Sequence, residues 1–412
     1  MFSEIGVLCL RQKYTSLEKT DSHNYWIIFI GILIVGSTLR APLTSVGPLI
    51  SFIRTDLQIS HTVAGLITTL PLLAFALLSP LAPKISRRYG MELTIFFSLL
   101  ILLVGIILRS LFGVTFLFIG TILIGLAIAF GNVLMPVAVQ LNFPFRVGVV
   151  MGFYAVFMNI FGAIASGISV PITTIPNFSW RTSLAFWAVL VLVAILLWLP
   201  QLRRKGEKNN IKKTRMEKSI SLWRSPLAWQ ITIFMGLQSL MFYTLITWLP
   251  DILVDHGYSQ GAAGWMLFLM QVFIIPITFI TPVIAEKMES QSLLGGLIGG
   301  SFLVGVLGLM LGNSLIITIS IPLLGIAGGA AFSLCMMLFS LRTNTGEEAA
   351  EMSGMAQSAG YLLAAVGPTL FGALHDLTGN WKVPLIMLIV LACFIFITAV
   401  TSGRNRKIEV KY

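Results

Sequence analysis

Long stretches of hydrophobic residues dominate the chain, and short polar segments separate them. A membrane-spanning helix needs about 20 consecutive apolar residues, because lipid offers no partners for backbone N–H and C=O groups. Twelve stretches meet this requirement and are predicted to be helices. They cover residues 25–53, 60–82, 92–110, 114–142, 146–170, 180–200, 226–250, 259–285, 292–311, 314–341, 350–374 and 381–402.

The longest polar interruption, residues 201–225, divides these stretches into two sets of six. It is predicted to be a flexible cytoplasmic linker, and a regulatory or partner-binding role is the alternative. The resulting organisation has two tails, two six-helix bundles and this basic linker. Its segments are residues 1–24 (cytoplasmic amino-terminal tail), 25–200 (first bundle), 201–225 (linker), 226–402 (second bundle) and 403–412 (cytoplasmic carboxy-terminal tail).

The two halves also resemble each other at a shift of about 200 residues. Residues 125–141 align with 325–341, and residues 151–163 align with 353–365, in the same order. Parallel-related repeats of six helices are typical of secondary transporters whose site lies between the halves, near mid-membrane. The predicted fold class is therefore an all-α integral membrane protein with twelve transmembrane helices in two six-helix pseudo-repeat bundles.

Composition excludes a soluble protein, since 57% of the 412 residues are hydrophobic and only 10% are charged. If the amino terminus is cytoplasmic, 22 Lys and Arg residues lie on the cytoplasmic side and 4 on the outside. This asymmetry predicts a multi-pass protein of a bacterial plasma membrane with both termini inside. It also explains the net charge of +11 through contact with anionic lipid, without nucleic acid. No disulfide, metal site or cofactor is expected from the three separated cysteines and the absence of ligand motifs.

One arginine interrupts the first hydrophobic stretch. Arg40 lies in "GSTLRAPLTSVGPLI", near the midpoint of residues 25–54, and no acidic residue is within four positions of it. About 20 Å of helix on each side prevents its charge from reaching the membrane surface. Burying it costs at least about 2.5 kcal/mol. Either carbonyls freed by Pro42 and Pro48 satisfy it, or it is a fixed cation that attracts an anionic or electron-rich substrate through its planar donor fork.

No acidic residue lies deep in a predicted helix, so a buried counter-ion for Arg40 is not evident. His375 and Asp376, at the end of the eleventh stretch, are either a proton relay or a solvated helix end. Other polar and aromatic side chains fall on helices that would line a central cavity. They either bind a small polar solute or form interhelical hydrogen bonds. They are Asn132, Asn159, Gln238, Tyr243, Trp248, Gln271, Gln357 and Tyr361.

Three segments together resemble the cyanate-porter (CynX/NimT-type) branch of the major facilitator superfamily. They are "LRAPLTSVGPLI", "AGLITTLPLLAFALLSPLAPKISRRYG" and "GNVLMPVAVQLNFP". The resemblance implies a bacterial membrane transporter of cyanate or of nitroimidazole-like compounds. It also implies a gating loop between the second and third helices. That loop keeps Lys84, Arg87 and Arg88 but has Pro83 where the superfamily has an aspartate; Glu286 and Lys287 are the acid–base pair of its counterpart in the second half.

These observations predict a secondary transporter that moves a small planar or anionic solute by alternating access. The alternative is a major facilitator efflux pump for drug-like planar compounds such as nitroimidazoles. A membrane enzyme is not expected, because neither a catalytic constellation nor an ATP-binding P-loop is present. A receptor or scaffold with the same fold is a further alternative. Such a protein would be expected to lack the polar cavity residues, which are present in this sequence. Two six-helix halves already form a complete transport path, so the protein is expected to be a monomer.

Overall fold

The structure is a computed structural model that describes residues 22–111, 113–143, 146–202 and 222–408. Every regular element in these ranges is helical. Most of the predicted amino-terminal tail, most of the basic linker and residues 409–412 of the carboxy-terminal tail lie outside the described residues. Predictions about those segments therefore stay predictions.

Fourteen α-helices lie in the described part of the chain, and short 3₁₀ turns join some of them. They are α1 (Ser22–Thr44), α2 (Ile50–Leu57), α3 (His61–Leu78), α4 (Ala82–Tyr89), α5 (Met91–Arg109), α6 (Val114–Asn142), α7 (Val147–Thr173), α8 (Trp180–Leu202), α9 (Pro226–Asp255), α10 (Gln260–Lys287), α11 (Ser292–Leu311), α12 (Ser314–Leu341), α13 (Gly346–Thr378) and α14 (Lys382–Ser402).

Eleven helical segments in the described ranges are long and apolar enough to cross a membrane. Two of them each combine two helices, because α1 continues into α2 and α3 continues into α4. A twelfth helix, α13, is also long enough to cross a membrane, because its 33 residues extend about 50 Å at 1.5 Å per residue. Polar residues such as Glu348 and Glu351 lower its hydropathy. The prediction of an all-α membrane protein is confirmed.

The first predicted stretch is not one continuous helix. Helix α1 ends at Thr44, a 3₁₀ turn follows at Gly47–Leu49, and α2 begins at Ile50. Proline lacks the N–H that continues a helix, and Pro42 and Pro48 flank the break. Arg40 therefore lies four residues before the end of α1 and not in the middle of an unbroken helix.

The helices before and after residues 203–221 each pack mainly among themselves. In the first set α5 packs against α6 and α1 against α7, and in the second set α10 packs against α12 and α11 against α14. We call these sets the amino-terminal half (residues 22–202) and the carboxy-terminal half (residues 222–408). The halves contact each other most extensively through two helix pairs, α3 with α13 and α7 with α10.

Successive crossings alternate in direction, so α1 begins and α14 ends at the same end of the bundle. We call this the terminal end and the opposite one the far end. Buried Arg342 fastens the terminal end of the carboxy-terminal half, donating to the Ser402 carbonyl at 3.2 Å, the Gly403 carbonyl at 2.9 Å and the Gln291 side chain. Burial lowers the pKa of the Arg342 guanidinium.

Candidate functional site

A cavity lies between the two halves. Two helices of the amino-terminal half and four of the carboxy-terminal half contribute to its wall. The lining residues are Arg40, Ala155, Met158, Asn159, Gln238, Ser239, Phe242, Tyr243, Ile274, Thr278, Gly328, Gly329, Phe332 and Tyr361. Contributions from both halves agree with the expectation of a site at their boundary.

Arg40 is half-buried at this cavity and has no ionic partner among the described residues. Its Cζ atom lies 4.5 Å from the centroid of the Phe242 ring, a cation–π contact between the halves. Its Nε atom is buried without a hydrogen-bond partner. Gly162 leaves room for the arginine, because a Cβ there would lie 2.6 Å from Arg40 Cγ. Part of the guanidinium donor fork is thus left for a ligand.

The broken end of α1 is held in place beside Arg40. Thr44 Oγ1 donates to the Gly162 carbonyl of α7 at 2.8 Å. Arg109 donates from Nη1 to the Pro42 carbonyl at 2.7 Å, which satisfies a carbonyl near a helix carboxy terminus. Arg109 is one of the four basic residues that the Lys and Arg distribution places on the outside, but its side chain is 1% exposed. A single arginine at the edge of an apolar stretch gave no signal for this inward orientation.

Aromatic rings and amides form the remainder of the wall. The rings of Phe242 and Tyr243 meet edge to face at 5.2 Å, and those of Tyr243 and Tyr361 at 6.4 Å. Asn159 donates to the carbonyl of its own helix at Ala155 (2.8 Å), and the Gln238 amide donates to Ser239 Oγ (2.7 Å). The cavity thus combines one cation with aromatic surfaces suited to a planar solute.

The structure brings five of the predicted binding residues to the cavity: Arg40, Asn159, Gln238, Tyr243 and Tyr361. Sequence reasoning missed Phe242, Met158, Ile274 and Phe332, which also line it. Hydrophobic residues fill every stretch of this chain, so composition cannot single these out. The only sequence signal for Phe242 was its position next to Tyr243, on a helix already assigned to the cavity.

Four predicted binding residues lie elsewhere in the described structure. Trp248 is fully buried and donates from Nε1 to the Pro368 carbonyl at 2.8 Å. Gln271 donates to Ser166 Oγ at 2.7 Å and so joins α10 to α7. Gln357 donates to Ser353 within α13, and Asn132 is exposed on α6. Gln271 contacts the opposite half, and Trp248 packs near the far end. Interhelical contacts therefore occupy both side chains.

Charged residues close the far end of the boundary. Arg54 Nη1 lies 3.4 Å from Asp251 Oδ2, and Ser51 donates to Asp251 Oδ1 at 2.6 Å. His61 Nε2 lies 3.5 Å from Asp251 Oδ2, while His61 Nδ1 lies 2.7 Å from Asp376 Oδ1. One histidine of the amino-terminal half thus contacts two carboxylates of the carboxy-terminal half.

Hydroxyl contacts extend this closure toward the cavity. Thr69 Oγ1 donates to the Ala365 carbonyl at 2.7 Å, and Thr247 Oγ1 donates to Thr68 Oγ1 at 2.9 Å. Each bond joins α3 to a helix of the carboxy-terminal half. The far side of the cavity is therefore sealed by paired polar groups.

The predicted relay pair, His375 and Asp376, lies within this far-end closure. The rings of His61 and His375 are 3.9 Å apart, and Trp381 packs against both. Ligand atoms of His61, His375 and Asp376 lie within 4.8 Å of one another, a donor set that can hold a divalent metal. In this arrangement the Asp376 oxygens and His61 Nδ1 instead bind each other and Thr62.

The predicted gating loop has no such contacts in the described structure. Lys84, Arg87 and Arg88 are exposed on the short helix α4, and Glu286 and Lys287 are exposed at the end of α10. None of the five forms an ion pair with another described residue. Among the described residues, the ion pairs that join the halves lie at the far end, and none lies at the terminal end.

Several bacterial transporters are similar to this chain in sequence. An uncharacterized transporter of Bacillus subtilis, YycB, is 44% identical over 93% of this chain and 95% of its own length. A 2-nitroimidazole transporter of Escherichia coli is 39% identical over 96% of this chain and 100% of its own length. The cyanate transport protein CynX of Escherichia coli is 26% identical over 85% of this chain and 90% of its own length. These relatives confirm the resemblance to the CynX/NimT branch.

The fold is shared with solved transporter structures. A bacterial homolog of the human lysosomal transporter Spinster, in an inward-facing and occupied conformation, superposes with a TM-score of 0.73. The superposition covers 93% of this chain and 96% of that one, at 13% identity. Residues 28–368 match the profile of the Major Facilitator Superfamily. The chain belongs to the major facilitator superfamily.

Proposed function

We propose that this protein is a secondary active transporter that moves a small planar or anionic solute by alternating access. The single observation that carries the proposal is Arg40, a cation at the cavity between the halves with no described ionic partner. The relatives named for cyanate and 2-nitroimidazole transport support a solute of this size. A planar donor fork beside aromatic rings suits an anion or an electron-rich planar solute.

The predicted site residues receive separate roles in this proposal. Arg40 supplies the counter-charge, and the polar and aromatic side chains at the cavity orient the solute. Gln271 holds the halves together near the solute path, and Trp248 holds α9 to α13 within the carboxy-terminal half. The exposed charges of α4 and α10 close the terminal end in the opposite state. Asn132 and Gln357 complete the path toward the terminal end.

The proposed setting is a bacterial plasma membrane, with the terminal end in the cytoplasm. The excess of Lys and Arg in the segments of that end supports this orientation. The protein would then act as a monomer with bundles at 25–200 and 226–402, in contact with lipid and not with nucleic acid. It would be a carrier without enzymatic activity or a bound cofactor.

A specific observation also favours the alternative, an efflux pump for drug-like planar compounds such as nitroimidazoles. The relative with 39% identity is named for 2-nitroimidazole transport, and four aromatic rings line the cavity, those of Phe242, Tyr243, Phe332 and Tyr361. A neutral ring system would rely on these surfaces more than on Arg40. The two candidates therefore differ in how strongly transport depends on Arg40.

Uptake into proteoliposomes tests both candidates. Labelled cyanate and 2-nitroimidazole are compared in the natural protein, in Arg40→Gln and in Arg40→Lys, with Arg404→Gln as a control that removes an exposed charge at the terminal end. A charge-assisted contact of about 1.5–3 kcal/mol predicts a loss of cyanate affinity of about 10- to 100-fold in Arg40→Gln. Arg40→Lys should recover part of it.

The outcomes separate the candidates. Cyanate uptake that depends on Arg40 supports the anion carrier. Uptake of 2-nitroimidazole alone, unchanged in Arg40→Gln, favours the efflux alternative. Cyanate uptake that is equal in all four proteins would overturn the role of Arg40.

A further inference from the structure

The cavity has an uncompensated charge. Arg40 is the only charged side chain among its lining residues, and the other thirteen are neutral. In the described part of the chain no carboxylate lies within ion-pairing distance of its guanidinium, and only the Phe242 ring covers it. The empty cavity therefore carries a net positive charge.

Deprotonation cannot remove this charge. Arginine stays protonated at physiological pH, so Arg40 cannot become neutral. A carboxylate that exchanged a proton could balance it, but Asp251 and Asp376 are engaged at the far end with Arg54 and His61. The described lining includes no Asp, Glu or His, so no group that titrates near neutral pH could change the charge of the cavity during a transport cycle.

The cycle requires the site to be shut off from water at least briefly. In the arrangement described here the far end is closed, and the opposite state needs closure of the terminal end before the far end opens. During that passage the walls exclude bulk water from Arg40. An unpaired cation in such an enclosed site is strongly disfavoured, whereas an ion pair with hydrogen bonds is tolerated.

We propose that the two halves switch readily only when an anion neutralises Arg40, which makes this carrier an anion exchanger. One monoanion enters the site from one side, the halves switch, and it is released; a second monoanion from that side returns with the carrier. The exchange is one for one, moves no net charge and needs no co-transported proton. This inference rests on the proposed function in one respect, that the substrate is an anion bound by Arg40.

The first test is uptake of labelled cyanate by proteoliposomes of the natural protein under two loadings. One set contains unlabelled cyanate, and the other contains sucrose at equal osmolarity. Valinomycin and equal potassium on both sides hold the membrane potential at zero, so electrical back-pressure cannot slow net entry. We expect the initial rate to be at least tenfold higher with internal cyanate. Equal rates would overturn exchange while leaving transport itself intact.

The second test needs no substrate. Dyes at Thr55→Cys and Leu315→Cys, exposed far-end positions in different halves, report opening and closing of the far end by single-molecule energy transfer. The background replaces the three natural cysteines with alanine. We expect the empty natural protein to switch rarely and empty Arg40→Gln to switch at least ten times as often. Arg404→Gln is the control and should behave like the natural protein.

Failure of the exchange proposal can be distinguished from failure of the proposed cyanate transport. If neither set of vesicles takes up cyanate, cyanate transport is wrong, and the switching measurement alone decides the exchange proposal. If the empty natural protein switches as often as Arg40→Gln, the charge does not hold back the empty carrier and the proposal is wrong. If added cyanate accelerates switching in the natural protein but not in Arg40→Gln, both proposals are supported.

Discussion

The Thr62 backbone N–H donates to Asp376 Oδ2 at 2.8 Å, and the Thr62 hydroxyl donates to the same atom at 2.6 Å. Asp376 Oδ1 also accepts from the backbone N–H of His61 at 3.1 Å. These N–H groups belong to the first turn of α3 in the amino-terminal half, while Asp376 belongs to α13 in the carboxy-terminal half. A carboxylate of one half thus stabilises the helix amino terminus of the other.

Asp376→Asn should open the far end more often. The substitution keeps a hydrogen-bond acceptor but removes the negative charge that faces the α3 amino terminus and His61. A charge-assisted contact is stronger than its neutral counterpart by about 1–2 kcal/mol, which predicts roughly tenfold more of the far-open state. The dye pair at Thr55 and Leu315 measures this population. Asp255→Asn, an exposed acid at the same end with no described ion pair, should have no effect.

Gly65→Ala should prevent full closure of the far end. A Cβ at Gly65 would lie 2.6 Å from the Pro368 carbonyl oxygen and 2.7 Å from Thr369 Cα, so α3 and α13 could not approach as they do. Overpacking of this kind costs about 1–3 kcal/mol. The transport rate and the far-closed population should both fall. Gly354→Ala, where a Cβ would meet open space, is the matched control, and equal effects of the two changes would contradict the close-approach argument.

Phe242→Leu should weaken anion binding although Phe242 bears no charge. Its ring covers Arg40 at 4.5 Å and orients the donor fork toward the cavity. Loss of the cation–π contact, worth about 0.5–2 kcal/mol, predicts an increase of about 3- to 30-fold in the KM for cyanate. Phe242→Tyr retains the ring face and should stay near the natural KM. An unchanged KM in Phe242→Leu would mean that Arg40 is held by other contacts.

Arg342→Met should lower thermal stability without changing substrate affinity. Arg342 is 3% exposed and donates to three acceptors at the terminal end, which would be left without it. Unsatisfied buried acceptors cost about 1–3 kcal/mol each, so a clear decrease in the melting temperature is expected. Arg404→Met, at an exposed position of the same end, should melt like the natural protein. A scanning-fluorimetry measurement compares the three proteins.

The sequence alone determined the class of fold and the most conspicuous site residue. Hydrophobic length is a local property, so twelve crossings could be counted without knowledge of their packing. Arg40 stood out because a permanent charge in an apolar stretch has few explanations. Motifs in the first half also led to the correct superfamily. These inferences needed only neighbouring positions along the chain.

Tertiary structure decided which helix faces meet. Asn132 and Asn159 looked equivalent in sequence. Asn159 nevertheless lines the cavity, whereas Asn132 is exposed and is not among the described residues that line the cavity. The contact of Arg40 with Phe242 and that of Thr62 with Asp376 join residues about 200 and 314 positions apart. Rotation of each helix about its axis depends on packing against other helices, which a uniformly apolar sequence does not encode locally. The charge in the cavity could therefore be predicted from sequence, but its surroundings and the far-end closure could not.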